Sequence, residues 1–194
     1  MGAIVCGYPG IGKSTLCRTN PRFIDLESSC FYKNKWTVIG GERDGEKIYE
    51  KCEDWYIGYV NLAIDLAKQG YLVCLSCHDV VRARLTNICP EDIDVLVIMP
   101  GADIKDVWLN RIRDRYYLSK DEKDKRALEH CESALGRDME NAILSPLPLV
   151  LLRDPDYDLG EVIANALDIA IPGYGWSSEE NRFVNDKKRR TYDS

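Results

Sequence analysis

The stretch Gly7-Tyr8-Pro9-Gly10-Ile11-Gly12-Lys13-Ser14 constrains this chain more than any other. Its spacing, G-x-x-x-x-G-K-S, is that of the phosphate-binding P-loop. Such a loop works only between a strand and a helix N-terminus, where successive backbone N–H groups converge and the helix dipole adds positive potential. That setting is present. Ala3-Ile4-Val5-Cys6 is a short apolar run suited to a buried strand, and Thr15-Leu16-Cys17-Arg18 can continue as a helix. The glycines permit torsions and a close backbone approach that a Cβ would block. Lys13 supplies a point charge for β- and γ-phosphates, and Ser14 a hydroxyl for Mg²⁺. At average glycine usage the pattern arises by chance in roughly one chain of this length in a hundred. A nucleotide-binding protein is expected, with ATP and Mg²⁺ as cofactors. Its predicted nucleotide-binding set is Gly7, Gly10, Ile11, Gly12, Lys13, Ser14 and Thr15.

A chain of 194 residues is long enough for one domain with a real core. The net charge of −6 argues against a large electropositive nucleic-acid surface, though a local groove remains compatible with it. The opening residues have no charged n-region or long apolar h-region, and no apolar run approaches membrane-spanning length. Met1-Gly2 is followed by Cys6 where a myristoylation start has Ser or Thr. No membrane partner and a cytoplasmic location are expected. Of the eight cysteines, Cys74 and Cys77 form the only CxxC, without a second pair or a His cluster to complete a zinc site. Reduced, structural thiols are the expectation.

Along the chain, Asn20-Pro21 stops the first helix and Phe23-Ile24-Asp25-Leu26 reads as a second strand with an acidic end at Asp25 and Glu27. Residues 30–53 read as a polar excursion, anchored by Trp36, with a hairpin from Thr37–Ile39 to Lys47–Tyr49. From Asp54, the spacing of Trp55, Tyr59, Leu62 and Leu66 predicts a helix ending at Gly70. Tyr71–Leu75 is a buried strand tipped by Ser76-Cys77-His78-Asp79, and a short helix follows through Leu85. Val95–Met99 is the next strand. Asp103 with Asp106 can cap a long helical stretch whose apolar stripe is Val107, Trp108 and Ile112. Residues 119–141 are charged and helix-prone, with His130 facing solvent. Leu149–Leu152 is a fifth strand, and Asp158 with Glu161 forms a capping-box-like start for a last helix. Five buried strands alternating with helices predict an α/β fold, a five-stranded parallel sheet flanked by helices, over residues 1–170. Residues 171–194, with the basic run Lys187–Arg190, are expected to form a loosely ordered tail. Ligands of such sheets bind beyond the carboxyl ends of the strands, which places the P-loop, Asp25, Glu27, His78, Asp79 and Asp154 around one crevice.

This order of parts resembles the small P-loop kinases of the nucleoside-monophosphate, shikimate and gluconate kinase type, over residues 2–169. The resemblance rests on the P-loop, the acidic end of strand two, the polar tip of strand three and strand four ending in Pro100. It continues through Arg111-x-x-x-Arg115, which leads into a charged segment, and strand five. It implies a three-layer α/β/α P-loop NTPase fold with a helical lid over roughly residues 111–141. By resemblance, Arg111 and Arg115 would be lid arginines on the transferring phosphates. Asp25 and Glu27 would face magnesium water or the acceptor, and Arg82 would lie near acceptor oxygens.

The physical chemistry agrees with those roles and leaves alternatives. Phosphoryl transfer needs positive charge on the equatorial oxygens and exclusion of water. Arg111 and Arg115 are i,i+4 on one helix face and can converge on one ligand, or can pair with Asp114, Asp121 or Glu122. Asp25 and Glu27 share a strand face and can hold Mg²⁺ water and accept a hydroxyl proton, or can cap nearby N–H groups. His78 can orient an acceptor or be structural; Asp79 can be a Walker-B-like acid or a helix N-cap. The strand-three tip lacks the Asp-Gly-x-Pro-Arg pattern of adenylate kinases, which puts a standard AMP site in doubt. No Asn-Lys-x-Asp motif supports a switch GTPase. The expected function is ATP-dependent transfer of the γ-phosphate to a small-molecule acceptor, a nucleoside or nucleoside monophosphate. The alternatives are a polynucleotide 5′-hydroxyl kinase or nucleic-acid-linked P-loop ATPase, which the acidic charge opposes, and a non-enzymatic nucleotide sensor.

Overall fold

The apolar run after Gly2 forms β1 (Ala3–Gly7), every residue of it buried. A strand that is apolar on both faces needs cover on both, which suits the centre of a parallel sheet. The computed structural model, which describes residues 2–32 and 53–186, puts it there. β1 pairs in parallel with β3 (Leu72–Ser76) on one side and β4 (Asp94–Pro100) on the other, Gly7 lying level with Ser76 and Ile98. β2 (Phe23–Asp25) and β5 (Leu149–Leu152) complete the order β2-β3-β1-β4-β5. The expected five-stranded parallel sheet is borne out.

Parallel neighbours need crossovers. These are α1 (Lys13–Thr19), the short α2 (Ser29–Tyr32), α3 (Trp55–Lys68), α4 (Asp79–Ile88), α5 (Lys105–Ser119) and α6 (Glu122–Ile143), while α7 (Leu159–Leu167) follows the last strand of the sheet. On α3 the buried stripe runs through Trp55, Tyr59, Val60, Ala63, Ile64 and Ala67, while Leu62 faces solvent. The same correction holds on α5: Trp108, Leu109 and Ile112 are buried and Val107 is exposed. Neither Asp103 nor Asp106 caps α5. A 3₁₀ turn, Ala102–Ile104, leads into it and closes through the Ile104 N–H on Gly101 O. α5 ends at Lys120, whose φ is +53°, and Asp121 caps α6 by accepting the Lys123 N–H at 2.7 Å.

Residues 174–185 differ from the loose tail expected. They form an antiparallel hairpin of β6 (Tyr174–Ser177) and β7 (Arg182–Asn185). Ile171 and Val184 are buried, and Trp176 meets Phe183 edge-on at 5.3 Å. Asp158 caps α7 through the Gly160 and Glu161 N–H groups, and also accepts from Tyr174 Oη and Asn185 Nδ2. Glu161 does not close the capping box; its carboxylate accepts the Asn185 N–H at 2.8 Å instead. The hairpin thus takes over half of the expected cap. Ending the chain at Ala170 removes two buried aliphatic side chains, each contributing about 1.5–3 kcal/mol, and strips Glu161 of that partner. The expected result is a melting temperature lower by roughly 10 °C, measured by calorimetry. An unchanged melt would show that the hairpin only rests on the domain.

The expected hairpin at 37–39 and 47–49, Trp36, Cys52 and the run Lys187–Arg190 lie outside the described residues. The seven cysteines inside them are free. Burial pushes the Cys6 and Cys77 thiols up, so at neutral pH they act as small hydrophobes. Among the described residues no helix is long and apolar enough to cross a membrane.

Candidate active site

Gly12 has φ +100° and Gly10 φ +77°, both in the left-handed region. A Cβ on Gly10 would also lie 2.8 Å from Ile112 Cγ1 and 3.1 Å from Trp108 Nε1, so glycine lets α5 pack directly on the loop. Gly12 O accepts the Thr15 and Leu16 N–H groups and so starts α1. The N–H groups just before them stand outside the helix ladder and suit an anion. Lys13 Nζ donates to Gly7 O at 2.6 Å and Tyr8 O at 3.0 Å, holding its charge on the loop's own carbonyls. Burial holds this lysine below its ordinary range, and Asp25 and Glu27 act in the opposite direction.

The loop is fastened from three more elements. Trp108 Nε1 on α5 donates to Pro9 O at 3.0 Å, and Tyr157 Oη, just before α7, donates to Ile11 O at 3.1 Å. Tyr8 Oη donates to Asp138 Oδ2 on α6 at 2.7 Å. Sequence reasoning missed all three. One signal was present for Asp138: it shares a helix face with Cys131, Leu135 and Ala142, so an acid sits on an apolar stripe.

Ser14 Oγ donates to Asp25 Oδ2 at 2.5 Å. The two residues predicted to hold magnesium therefore meet, one from the start of α1 and the other from the end of β2. Their oxygens suit a hard cation that keeps most of its coordination for phosphates and water. Tyr59 Oη fixes this edge by donating to Leu26 O at 2.7 Å and accepting the Ser76 N–H at 2.8 Å.

Glu27 divides its oxygens. Oε1 accepts the Ser29 N–H at 3.4 Å, which is the capping reading, and Oε2 meets Lys123 Nζ of α6 at 2.5 Å. Burial works against the charge, but Lys123 outweighs it and holds this carboxyl below the ordinary glutamate range. The pair's contribution to stability is therefore present above that range and lost as pH falls through the lowered value. Replacing Lys123 by methionine should move the Glu27 titration upward, because burial then loses its main opponent; carboxyl NMR would read this. An unmoved titration would mean that the pair does not form in solution.

At the tip of β3, His78 lies edge-on to Trp55 at 5.4 Å between ring centroids. Asp79 is the first residue of α4 rather than its N-cap, and it makes no cap bond; its oxygens take Arg82 at 2.7 Å and Asn141 at 2.8 Å. Arg82 is 3% exposed and spends its guanidinium on Asp79, Cys77 O and Cys77 Sγ. These bonds hold Arg82 in the β3–α4 turn. Arg111 and Arg115 do not converge either. Arg111 donates to Pro155 O and lies 5.7 Å from the Tyr157 ring centroid. Arg115 pairs with Asp124 at 2.9 Å, because the turn at Lys120 folds the start of α6 back beside it. His130, expected to face solvent, is half-exposed, and its Nε2 lies 2.8 Å from Asp138 Oδ2.

A parallel sheet in the order β2-β3-β1-β4-β5, with a P-loop between β1 and α1, is an α/β/α arrangement of the P-loop NTPase type. No family model matches this chain, and no curated protein does. Solved structures that resemble it include a shikimate kinase from Bacteroides thetaiotaomicron, at 14% identity over 87% of this chain and 99% of that one, with a TM-score of 0.45. A gluconokinase from Sinorhizobium meliloti 1021 gives 16% identity over 86% and 90%, with a TM-score of 0.45. A tunicamycin resistance protein of Deinococcus radiodurans gives 11% over 75% and 95%, with a TM-score of 0.39. At such distances no residue's role transfers, and the roles below rest on this chain's own geometry.

Proposed function

We propose that this protein is an ATP-dependent phosphotransferase that moves the γ-phosphate to a small-molecule acceptor, a nucleoside or nucleoside monophosphate being the first class to test. The observation that carries the reading is the Ser14–Asp25 bond next to Lys13, which gathers a hydroxyl, a carboxylate and an ammonium at the carboxyl edge of the sheet. Magnesium-bound ATP, when present, supplies the transferable phosphoryl group and neutralises part of its charge.

In this reading Lys13 exchanges the Gly7 and Tyr8 carbonyls for phosphate oxygens. Ser14 and Asp25 are the residues that would hold the metal when it is bound. Glu27 takes the acceptor hydroxyl's proton once Lys123 withdraws from it. Arg111 and Arg115 leave Pro155 and Asp124 to cover the transferring group, which is the work asked of a closing lid. His78 and Asp79 border the acceptor side, Arg82 acting through the turn it holds. The ATP requirement goes with a cytoplasmic location.

Incubation with γ-labelled ATP, Mg²⁺ and a panel of nucleosides, nucleoside monophosphates, sugar acids and a 5′-hydroxyl oligonucleotide tests this. Label should appear on one small-molecule class. Label on the oligonucleotide alone would make the protein a polynucleotide kinase. ATP binding without transfer to anything would make it a nucleotide sensor.

A further inference from the structure

We infer that Tyr8 and Asp138 are positioning residues that fasten the phosphate loop to α6, so that loading of the loop is passed to the lid helix. The inference rests on the nucleotide reading above. Tyr8 occupies a variable position of the motif, where the loop's torsions demand no particular side chain. Yet its ring is 2% exposed, packed 5.6 Å from Trp108 between centroids, and its hydroxyl reaches a carboxylate 130 residues away.

Asp138 is itself only 7% exposed, and a buried carboxylate is costly unless it is bonded. It takes Tyr8 Oη at 2.7 Å, His130 Nε2 at 2.8 Å and Arg137 Nη2 at 3.4 Å. An apolar pair at these positions would hold α6 against the loop at least as well. A directional bond adds orientation, and the backbone of Tyr8 shows what is oriented. Its N–H donates to Ile98 O on β4, and its C=O accepts from Lys13 Nζ.

One residue therefore touches the central sheet, the loop's lysine and the lid helix. When Lys13 turns to a phosphate it must release the Tyr8 carbonyl, and the change reaches α6 through the phenol. At its other end α6 carries Lys123, on Glu27. Fifteen residues of helix, roughly 22 Å, separate Lys123 from Asp138, so a small tilt set at the loop moves the cation at the acceptor edge.

Tyr8→Phe removes the hydroxyl without opening a cavity. Hydrogen exchange read by mass spectrometry, with and without Mg²⁺-ATP, separates the cases. In the wild type, ATP should slow exchange in the loop and in α6 together. In Tyr8→Phe the loop should still respond and α6 should not, with kcat/KM for ATP down about tenfold, the scale of one lost charge-assisted bond. An α6 response undiminished in Tyr8→Phe would overturn the inference. Should that variant not fold, Asp138→Asn serves the same comparison. If the wild type binds no nucleotide, the nucleotide reading fails on its own. The fastening is then still read without ligand, where Tyr8→Phe should speed loop and α6 exchange together and unchanged rates overturn it.

Discussion

Replacing Lys13 by alanine is expected to abolish phosphate transfer while leaving the fold in place. Its ammonium interacts electrostatically with Asp25, which Ser14 meets, and it is poised on two carbonyls that a phosphate can replace. Electrostatic groups of this kind are worth about 10²-fold or more in rate. Gly7 O and Tyr8 O can take water in the variant, so stability should hold. Burial lowers the lysine's affinity for its proton, so the unfolded chain binds more protons between the lowered value and the ordinary one. Stability of the wild type should rise with pH across that window, and the alanine variant should lose that rise. Normal turnover in Lys13→Ala would remove the phosphate loop from the mechanism.

Asp25→Asn should be nearly as damaging to transfer, by about 10²-fold or more, for a different reason. The amide keeps the shape and can still accept from Ser14 Oγ, so the strand end survives. What disappears is the charge that would hold the metal and its water. Affinity for ATP without Mg²⁺ should change little, and the Mg²⁺ concentration needed for turnover should rise. A variant that turns over normally but melts early would make Asp25 a strand-end cap.

The parts of this site that could be read from sequence are those set by local physics. A loop that needs left-handed torsions at Gly10 and Gly12 shows itself in glycines, and a strand buried on both faces shows itself as an unbroken apolar run. Asp25 and Glu27 could be placed in the same way, at the acidic end of the short apolar run that forms the edge strand β2. What could not be read depends on partners brought from afar. Trp108, Asp138 and Tyr157 reach the loop across 99, 130 and 146 residues, so nothing near them in the chain announces the contact. The i,i+4 spacing of Arg111 and Arg115 was correct, but their partners are chosen by where α6 and the β5–α7 loop fold back. The C-terminal hairpin was hidden by its glycines and exposed Trp176, while Ile171 and Val184, which dock it, are too few to form a pattern.

The most direct test of the central claim is a calorimetric titration of the full chain with ATP, once with Mg²⁺ and once with EDTA. The account predicts saturable one-to-one binding that weakens when Mg²⁺ is removed, because Ser14 and Asp25 then lose the ion that links them to the phosphates. Absence of saturable binding of ATP and of GTP under both conditions would contradict it.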